Sequence, residues 1–145
     1  MKFKRPYPAV EVSITAPDTL LMIPMDIILI EQVLINLMEN AVQHGKTTTR
    51  IELRLSSADG LAVFEVADNG CGIEKELLPH LFEGYLTRDQ EEISDQRRNM
   101  GIGLSVCMSI VQAHGGTMRA ENRKKGGALL QFSLPLEENS HEHQR

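Results

Sequence analysis

Apolar residues alternate with polar ones along several short segments of this chain. A repeat of two residues is typical of β-strands with one buried face, because successive side chains point to opposite faces. Such alternation, or a short apolar run bounded by turn residues, predicts six strands, at residues 10–15, 20–23, 47–56, 61–67, 117–122 and 128–134. The third and fourth strands flank Ala58-Asp59-Gly60, so we expect a hairpin there and a second hairpin from the last two strands.

Other segments repeat their apolar residues at the spacing of an α-helix. The longest such pattern covers residues 27–44, with Asp26 as the expected N-cap and Gly45 as the C-terminal stop. Residues 74–82 predict a short helix.

A third helical pattern begins at Gly101 and ends at Gly115-Gly116. His114, near its end, is expected to cap or pack. Residues 86–99 precede this helix and carry many charges with almost no apolar side chains, so they cannot bury a face. We therefore expect a mobile loop there.

The order of these elements favours an α+β fold. It predicts a two-layer α/β sandwich, in which a mixed sheet is covered on one face by about three helices. A chain of 145 residues has room for one domain with a single core. We expect residues 9–136 to form that domain, residues 1–8 to be a linker remnant and residues 137–145 to be a disordered tail.

Composition and charge argue against several classes of function. The net charge is −5 and the only dense basic cluster is Arg123-Lys-Lys125, expected to be a solvated hairpin loop, so we predict no nucleic-acid binding. Cys71 and Cys107 form neither a disulfide framework nor a zinc motif, which favours a reduced, cytosolic environment. No apolar run approaches the roughly 18 residues of a membrane span, so we expect no membrane contact by this domain.

One face of the long helix is polar. Asn is unfavourable inside a helix, and two in consecutive turns cost stability relative to Ala. Their carboxamide oxygens could ligate Mg²⁺, which takes the rest of its shell from water and substrate phosphates. A simple solvated face is the alternative. At about 100° per residue the polar face comprises Gln32, Asn36, Glu39, Asn40 and Gln43.

Two Gly-rich segments add candidate contacts to a nucleotide. In Asp68-Asn-Gly-Cys-Gly72 the carboxylate could accept a hydrogen bond from the exocyclic amine of adenine, although a common turn is the alternative. Gly101-Ile-Gly103 precedes a predicted helix, so its N–H groups could face a phosphate. Each segment is weak evidence alone. Their order after the Asn-bearing helix indicates a Mg-nucleotide site.

The three segments resemble the N box, G1 box and G2 box of the ATP-binding catalytic domain of bacterial sensor histidine kinases. That domain belongs to the superfamily shared with gyrase, Hsp90 and the mismatch-repair ATPases, whose fold is of the Bergerat type. Residues 31–42, with Asn122-Arg123 and Gly126-Gly-Ala128, are similar to the potassium-responsive Kdp-type kinases. The resemblance covers residues 10–136 and implies Mg²⁺ ligation by Asn36 and Asn40. It implies ATP binding by Asn36, Asn40, Gln43, His44, Asp68, Gly70, Gly72, Ile73, Gly101, Ile102, Gly103 and Leu104.

Two segments depart from the pattern of this family. Phe82-Glu-Gly-Tyr85 resembles the F box but has Gly84 where Pro is common, and residues 86–99 stand at the position of the ATP lid. Gln43-His44 replaces a basic residue followed by an aromatic residue or His, so no positive charge reaches the triphosphate from there. We hypothesise that one of four cations takes this role: Lys46, Arg88, Arg97 or Arg98.

The resemblance also implies partners outside this chain. None of the five histidines begins a long amphipathic helix in a His-Glu context, so we expect no catalytic residue in this fragment. The acceptor histidine would lie on a dimerisation domain of the same parent, a homodimer and membrane-anchored sensor with this domain on its cytoplasmic side. The isolated domain would be monomeric. A response regulator receiver domain would then take the phosphoryl group.

Two other functions remain open from the sequence. An anti-sigma serine kinase would share the fold, but such kinases and the superfamily's hydrolases have Glu four residues before the magnesium Asn, as a general base. This chain has Asn36 there, so we expect slow intrinsic hydrolysis. A degenerate interaction module that binds no nucleotide is the second alternative.

Overall fold

The computed structural model describes residues 10–18, 21–45, 47–82 and 95–137, with side chains at all of these positions except 44, 45 and 95–102. This part of the chain contains a short 3-10 helix, Leu78–His80. Its strands and α-helices are β1 (Glu11–Thr15), α1 (Ile27–Gly45), β2 (Arg50–Ala58), β3 (Leu61–Asp68), α2 (Asp95–Ala113), β4 (Thr117–Asn122) and β5 (Ala128–Pro135).

The strands form one mixed sheet in the order β1-β2-β3-β5-β4. β1 pairs with β2 in parallel, and the other neighbours are antiparallel. The β2–β3 hairpin turns at Asp59 and Gly60, both of which have positive φ angles. The mixed, mainly antiparallel sheet and both hairpins confirm the predicted α+β class.

The core lies between the sheet and the two helices. Phe64 and Phe132 are direct partners in the β3–β5 register, and their rings stack with centroids 4.6 Å apart at an angle of 7°. Burying such side chains is the main favourable term in folding. The fully buried residues from all layers include Ile30, Val33, Leu37, Met38, Ile51, Val66, Leu104, Cys107, Val111, Phe132 and Leu134.

Two predicted elements are wrong in type. The described part of the predicted strand at residues 20–23 forms no strand. Its backbone hydrogen bond is the one that the Glu137 N–H donates to the Met22 carbonyl. Pro24 follows at once and cannot donate to a strand ladder. The predicted helix at residues 74–82 is reduced to Leu78–His80, because Pro79 removes a donor from a segment too short to nucleate an α-helix.

The last helix begins earlier than predicted. α2 starts at Asp95, so residues 95–99 are helical rather than part of a loop, and Gly101 does not open the helix. Extending a helix from a packed segment is inexpensive once the nucleus exists, and an acidic first residue favours the N-terminal dipole. The described chain therefore has two α-helices and a 3-10 turn instead of about three helices. Neither α-helix is long and apolar enough to cross a membrane.

α1 and α2 run antiparallel and are joined at one end by His114. The Asp26 N–H donates to His114 Nε2 over 3.0 Å, and His114 Nδ1 donates to the Ile110 carbonyl over 2.8 Å. The Asp26 carboxylate accepts the Leu29 N–H at 3.1 Å. The predicted N-cap and the capping role of His114 are thus both confirmed.

Replacing His114 with Ala should lower the free energy of unfolding by about 1 kcal/mol, because the Asp26 N–H loses its acceptor and the helix pair loses a polar tie. Chemical denaturation of the two proteins measures this difference. Gln112→Ala, an exposed change on the same helix, is the matched control. Equal losses in both variants would contradict the capping role.

Candidate nucleotide site

Packing of α1 on the sheet sets the direction of its two central asparagines. Val33, Leu37 and Ala41 are buried with exposures of 0–4%, and they face the sheet. Asn36 and Asn40 are half-buried and lie off this stripe. The simple solvated face is therefore wrong for these two residues.

The side chain of Asn40 has a buried amide nitrogen without a hydrogen-bond partner. Its Nδ2 is buried and is the one buried side-chain nitrogen or oxygen within the described residues that lacks a hydrogen-bond partner. Leaving such a group unpaired costs about 1–3 kcal/mol. A buried carboxamide kept at that cost indicates a position where a ligand group completes the hydrogen bonding.

The antiparallel register of the helices brings Asn40 toward the second Gly-rich segment. Asp26 contacts His114, and about three turns further along α1 Asn36 contacts Cys107. Continuing that register by one turn along each helix points Asn40 toward Gly103. Gly103 is half-buried with open space where a Cβ would stand, whereas the Leu104 side chain is 1% exposed and belongs to the core.

Asp68 ends β3 as a buried carboxylate with an exposure of 5%. Its Oδ1 accepts the N–H groups of Gly70 at 2.8 Å and Ala128 at 3.3 Å. Burial raises the pKa of Asp68, although these hydrogen bonds and the charge of Arg123 act in the opposite direction. A buried carboxylate acceptor is the group that the sequence analysis assigned to adenine.

The β4–β5 hairpin holds the Asp68 turn in place. Asn122 bonds both backbone groups of Ile73: its Oδ1 accepts the N–H at 2.7 Å and its Nδ2 donates to the carbonyl at 2.8 Å. Arg123 donates to the Asp68 carbonyl at 2.7 Å. Gly72 has a φ of +84°, and a Cβ there would meet Asn122 Oδ1 at 2.8 Å. Only glycine fits between these segments.

Gly127 brings the backbone of the hairpin directly onto the Asp68 turn. Its φ is +92°, and a Cβ at this position would collide with the Asp68 carbonyl oxygen. The hairpin contacts were missed by the sequence analysis, which expected Arg123 to be solvated; its side chain is only 22% exposed. The sequence did contain a signal for these contacts, because a hairpin turn does not require both Asn122-Arg123 and Gly126-Gly127.

The end of α1 and the Asp68 turn meet at the same end of the sheet. Asn69 Oδ1 accepts the N–H groups of Thr49 and Arg50, each at 3.0 Å. The Thr48 hydroxyl donates to the Ala41 carbonyl at 2.6 Å. The structure therefore gathers the candidate carboxamides, the buried carboxylate and the start of β2 at one end of the fold.

Some predicted site residues lie outside what the structure describes. The F-box residues 83–85, Lys46 and Arg88 are not described, and neither are the side chains of His44, Arg97, Arg98, Gly101 and Ile102. Gln43 is exposed, and Ile73 is half-buried beside Asn122. The prediction that residues 101–103 precede a helix and offer free N–H groups is wrong, because α2 begins at Asp95 and these N–H groups lie beyond its unbonded first turn.

A magnesium ion fits this donor set when phosphates complete it. Among the described residues no group of three or more His, Cys, Asp and Glu is placed to hold a metal. Mg²⁺ does not require such a cage, because it keeps waters and binds substrate phosphates beside one or two protein oxygens. Two half-buried carboxamides, one of them with an orphaned amide, match that requirement.

Comparison with known proteins assigns this chain to a family. Residues 25–138 match the family model described as Histidine kinase-, DNA gyrase B-, and HSP90-like ATPase. The sensor protein KdpD of Clostridium acetobutylicum is 40% identical over 127 residues. That match covers 88% of this chain and 14% of the relative, so the chain spans about one seventh of the relative's length.

Solved structures share the fold. The ATP binding domain of PrrB from Mycobacterium tuberculosis matches with a TM-score of 0.72 and 28% identity, over 92% of this chain and 85% of that domain. Histidine kinase ThkA, solved in complex with response regulator protein TrrA, matches with a TM-score of 0.68 and 25% identity, over 94% of this chain and 36% of that chain.

Replacing Asn122 with Ala should loosen the Asp68 turn, because both backbone groups of Ile73 lose their partner. We expect a loss of about 1 kcal/mol in the free energy of unfolding and faster hydrogen exchange at the Ile73 amide. Amide exchange followed by NMR measures the local effect. Lys124→Ala, an exposed change in the same hairpin, should leave the Ile73 amide protected. Equal exchange in the wild type and both variants would show that Asn122 does not hold Ile73.

Proposed function

We propose that this chain, which belongs to the family of histidine kinase-, DNA gyrase B- and HSP90-like ATPases, binds Mg-ATP between α1, α2 and the Asp68 turn. The chain is a histidine kinase ATPase catalytic domain of the two-component sensor type, and it is similar in detail to Kdp-type kinases. The observation that carries the proposal is the buried Asp68 carboxylate at the same end of the fold as two half-buried carboxamides.

The adenine end of this site is built on the turn that follows β3. Both hydrogen bonds described for Asp68 engage Oδ1, which supports Oδ2 as the acceptor of the adenine amine. Gly70, Gly72 and Ile73 line the same turn, and the hairpin contacts hold it in shape before a ligand arrives. A preformed turn reduces the ordering cost of binding.

The phosphate end of the site lies between the two helices. Asn36 and Asn40 would hold Mg²⁺ through their carboxamide oxygens, and the ion would supply neutralising charge to the phosphates. The unpaired Asn40 Nδ2 would donate to a phosphate oxygen. Gln43, His44 and the open surface of α2 at Gly103 would border the phosphates.

The position that supplies the general base in hydrolases of this superfamily is occupied by Asn36 in this chain. Asn36 stands where hydrolases of the superfamily have Glu, and a carboxamide does not accept a proton at neutral pH. The γ-phosphoryl would therefore pass to a histidine on a dimerisation domain of the parent and then to a response regulator. The ThkA–TrrA complex supports the second partner, because its kinase shares this fold.

The parent protein that this function implies is larger than the chain. Residues 9–136 would be its catalytic domain, residues 1–8 part of a linker and residues 137–145 a terminal tail. The parent would be a homodimeric, membrane-anchored sensor with this domain in the cytoplasm, responding to potassium or osmotic conditions as its similarity to KdpD suggests. Neither nucleic acid nor the membrane would be a partner of this domain.

An anti-sigma serine kinase is the alternative function with the same fold. A phosphotransfer assay separates the two, because the domain should label a histidine-bearing dimerisation domain and leave a serine-bearing antagonist protein unlabelled. Asn36 in place of Glu favours the histidine kinase.

Calorimetric titration with ATP, with and without Mg²⁺, tests the proposed site. Asn40→Ala should weaken Mg-dependent binding at least about tenfold, or 1.4 kcal/mol. It should also keep or raise the stability of the fold, because it removes an unpaired buried amide and restores the best helix former. Gln32→Ala, on the exposed part of the same helix, is the control. No binding by the wild type up to millimolar ATP would favour a degenerate module.

Replacing Asp68 with Asn separates stability from adenine recognition. The amide oxygen can still accept from Gly70 and Ala128, but an amide nitrogen in place of Oδ2 cannot accept from adenine. We expect ATP to bind about tenfold more weakly and to lose its advantage over GTP. Asp59→Asn, an exposed turn residue, provides the same chemical change as a control.

The stability of Asp68→Asn should depend on pH in a defined direction. Because burial raises the pKa of Asp68 in the folded protein, its contribution to stability is fully present below the unfolded value of 3.8 and is lost as pH rises through the folded value. At pH 7 the Asn variant should therefore be at least as stable as the wild type, with the advantage vanishing in acid. Denaturation at both pH values measures this; a variant that is less stable only at pH 7 would contradict it.

A further inference from the structure

Asn36 is tied to α2 through a buried thiol. Its Nδ2 donates to the sulfur of Cys107 over 3.6 Å, and the same sulfur lies 4.0 Å from the carbonyl oxygen of Val33. Cys107 is fully buried, and no disulfide uses it. One cysteine therefore contacts the backbone of α1 and a side chain one turn further along the same helix.

The directions of these hydrogen bonds follow from the donors and acceptors available. A carbonyl oxygen only accepts, so the Cys107 S–H donates to Val33. With its proton engaged, the sulfur can only accept, and it therefore selects the NH₂ end of the Asn36 carboxamide.

The orientation of the carboxamide decides what Asn36 can offer a ligand. A carboxamide that turns its NH₂ group toward the sulfur turns its Oδ1 to the other side. If the Asn36 carboxamide were rotated by 180°, its oxygen would face a lone pair of the sulfur. Only its N–H donors would then face the ligand. Such donors could not ligate a cation.

We propose that Cys107 is a positioning residue, whose thiol holds Asn36 with Nδ2 toward α2 and Oδ1 toward the metal-nucleotide site. This inference rests on the proposed function, because it names the group that orients one of its two candidate magnesium ligands. It adds a residue from the apolar stripe of α2 that contacts no nucleotide itself. The thiol acts only through Asn36.

Three variants of α2 separate positioning from packing. Cys107→Ala removes the acceptor, whereas Cys107→Ser keeps a group that can donate to Val33 and accept from Asn36. Val111→Ala removes a fully buried side chain one turn further along the same helix and has no polar role. The affinity of each variant is measured below its unfolding temperature, where the protein is folded. Its free energy of unfolding is measured in a separate experiment.

The main measurement is the affinity for Mg-ATP as a function of Mg²⁺ concentration. A lost neutral hydrogen bond corresponds to about three- to tenfold in affinity. We expect that loss, with a weakened Mg²⁺ dependence, in Cys107→Ala, and substantial recovery in Cys107→Ser. Val111→Ala should be destabilised without a change in affinity. An equal loss of affinity in Val111→Ala and Cys107→Ala would overturn the proposal.

A double-mutant cycle with Asn36→Ala tests whether the thiol acts through the carboxamide. Once Asn36 is absent, Cys107→Ala should cause no further loss of affinity. The same fold loss in both backgrounds would show that Cys107 acts by another route and would overturn the positioning role.

The side-chain NH₂ signals of Asn36 provide a readout that needs no nucleotide. In the wild type and in Cys107→Ser they should be shifted and protected from exchange, and in Cys107→Ala they should resemble a free carboxamide. Identical signals in all three proteins would show that the thiol does not hold Asn36. If the signals behave as expected but the wild type binds no Mg-ATP, the proposed function fails and the positioning role fails with it, while the hydrogen bond itself stands.

Discussion

Burial of one face of α1 against the sheet is the constraint on which the rest of the site depends. Val33, Leu37 and Ala41 must leave water for the fold to form, and their positions define how the helix is rotated. That rotation turns Asn36 and Asn40 sideways, toward α2. The carboxamides therefore reach neither the core nor open solvent, and a small change in the apolar stripe would misdirect both.

A second constraint acts at the other end of the candidate site. The β4–β5 hairpin approaches the Asp68 turn so closely that glycine is required at Gly72 and Gly127. Asn122 and Arg123 then bond the backbone of that turn. The shape of the turn is consequently set by a hairpin whose contacting residues lie 49 and 55 positions away in sequence.

Both halves of the site retain features that cost stability. Asp68 is buried, and its raised pKa records that its charge is disfavoured there. Asn40 keeps an unpaired buried amide inside a helix, where Ala would be more favourable. Unfavourable groups that recur at one end of a fold, while the rest of its described core is apolar, are typical of a binding site.

The sequence alone determined the sheet hairpins and the long α1 helix with its Asp26 cap, because these follow from local periodicity and turn chemistry. The apolar pattern predicted too long a helix at residues 74–82, because the pattern does not record the effect of Pro79. It also predicted too late a start for α2, because it does not record the low cost of extending a packed helix. Only the tertiary structure decided that Arg123 supports Asp68 and that Cys107 bonds Asn36. Those contacts join residues 55 and 71 positions apart, and no local pattern records which distant groups folding brings together.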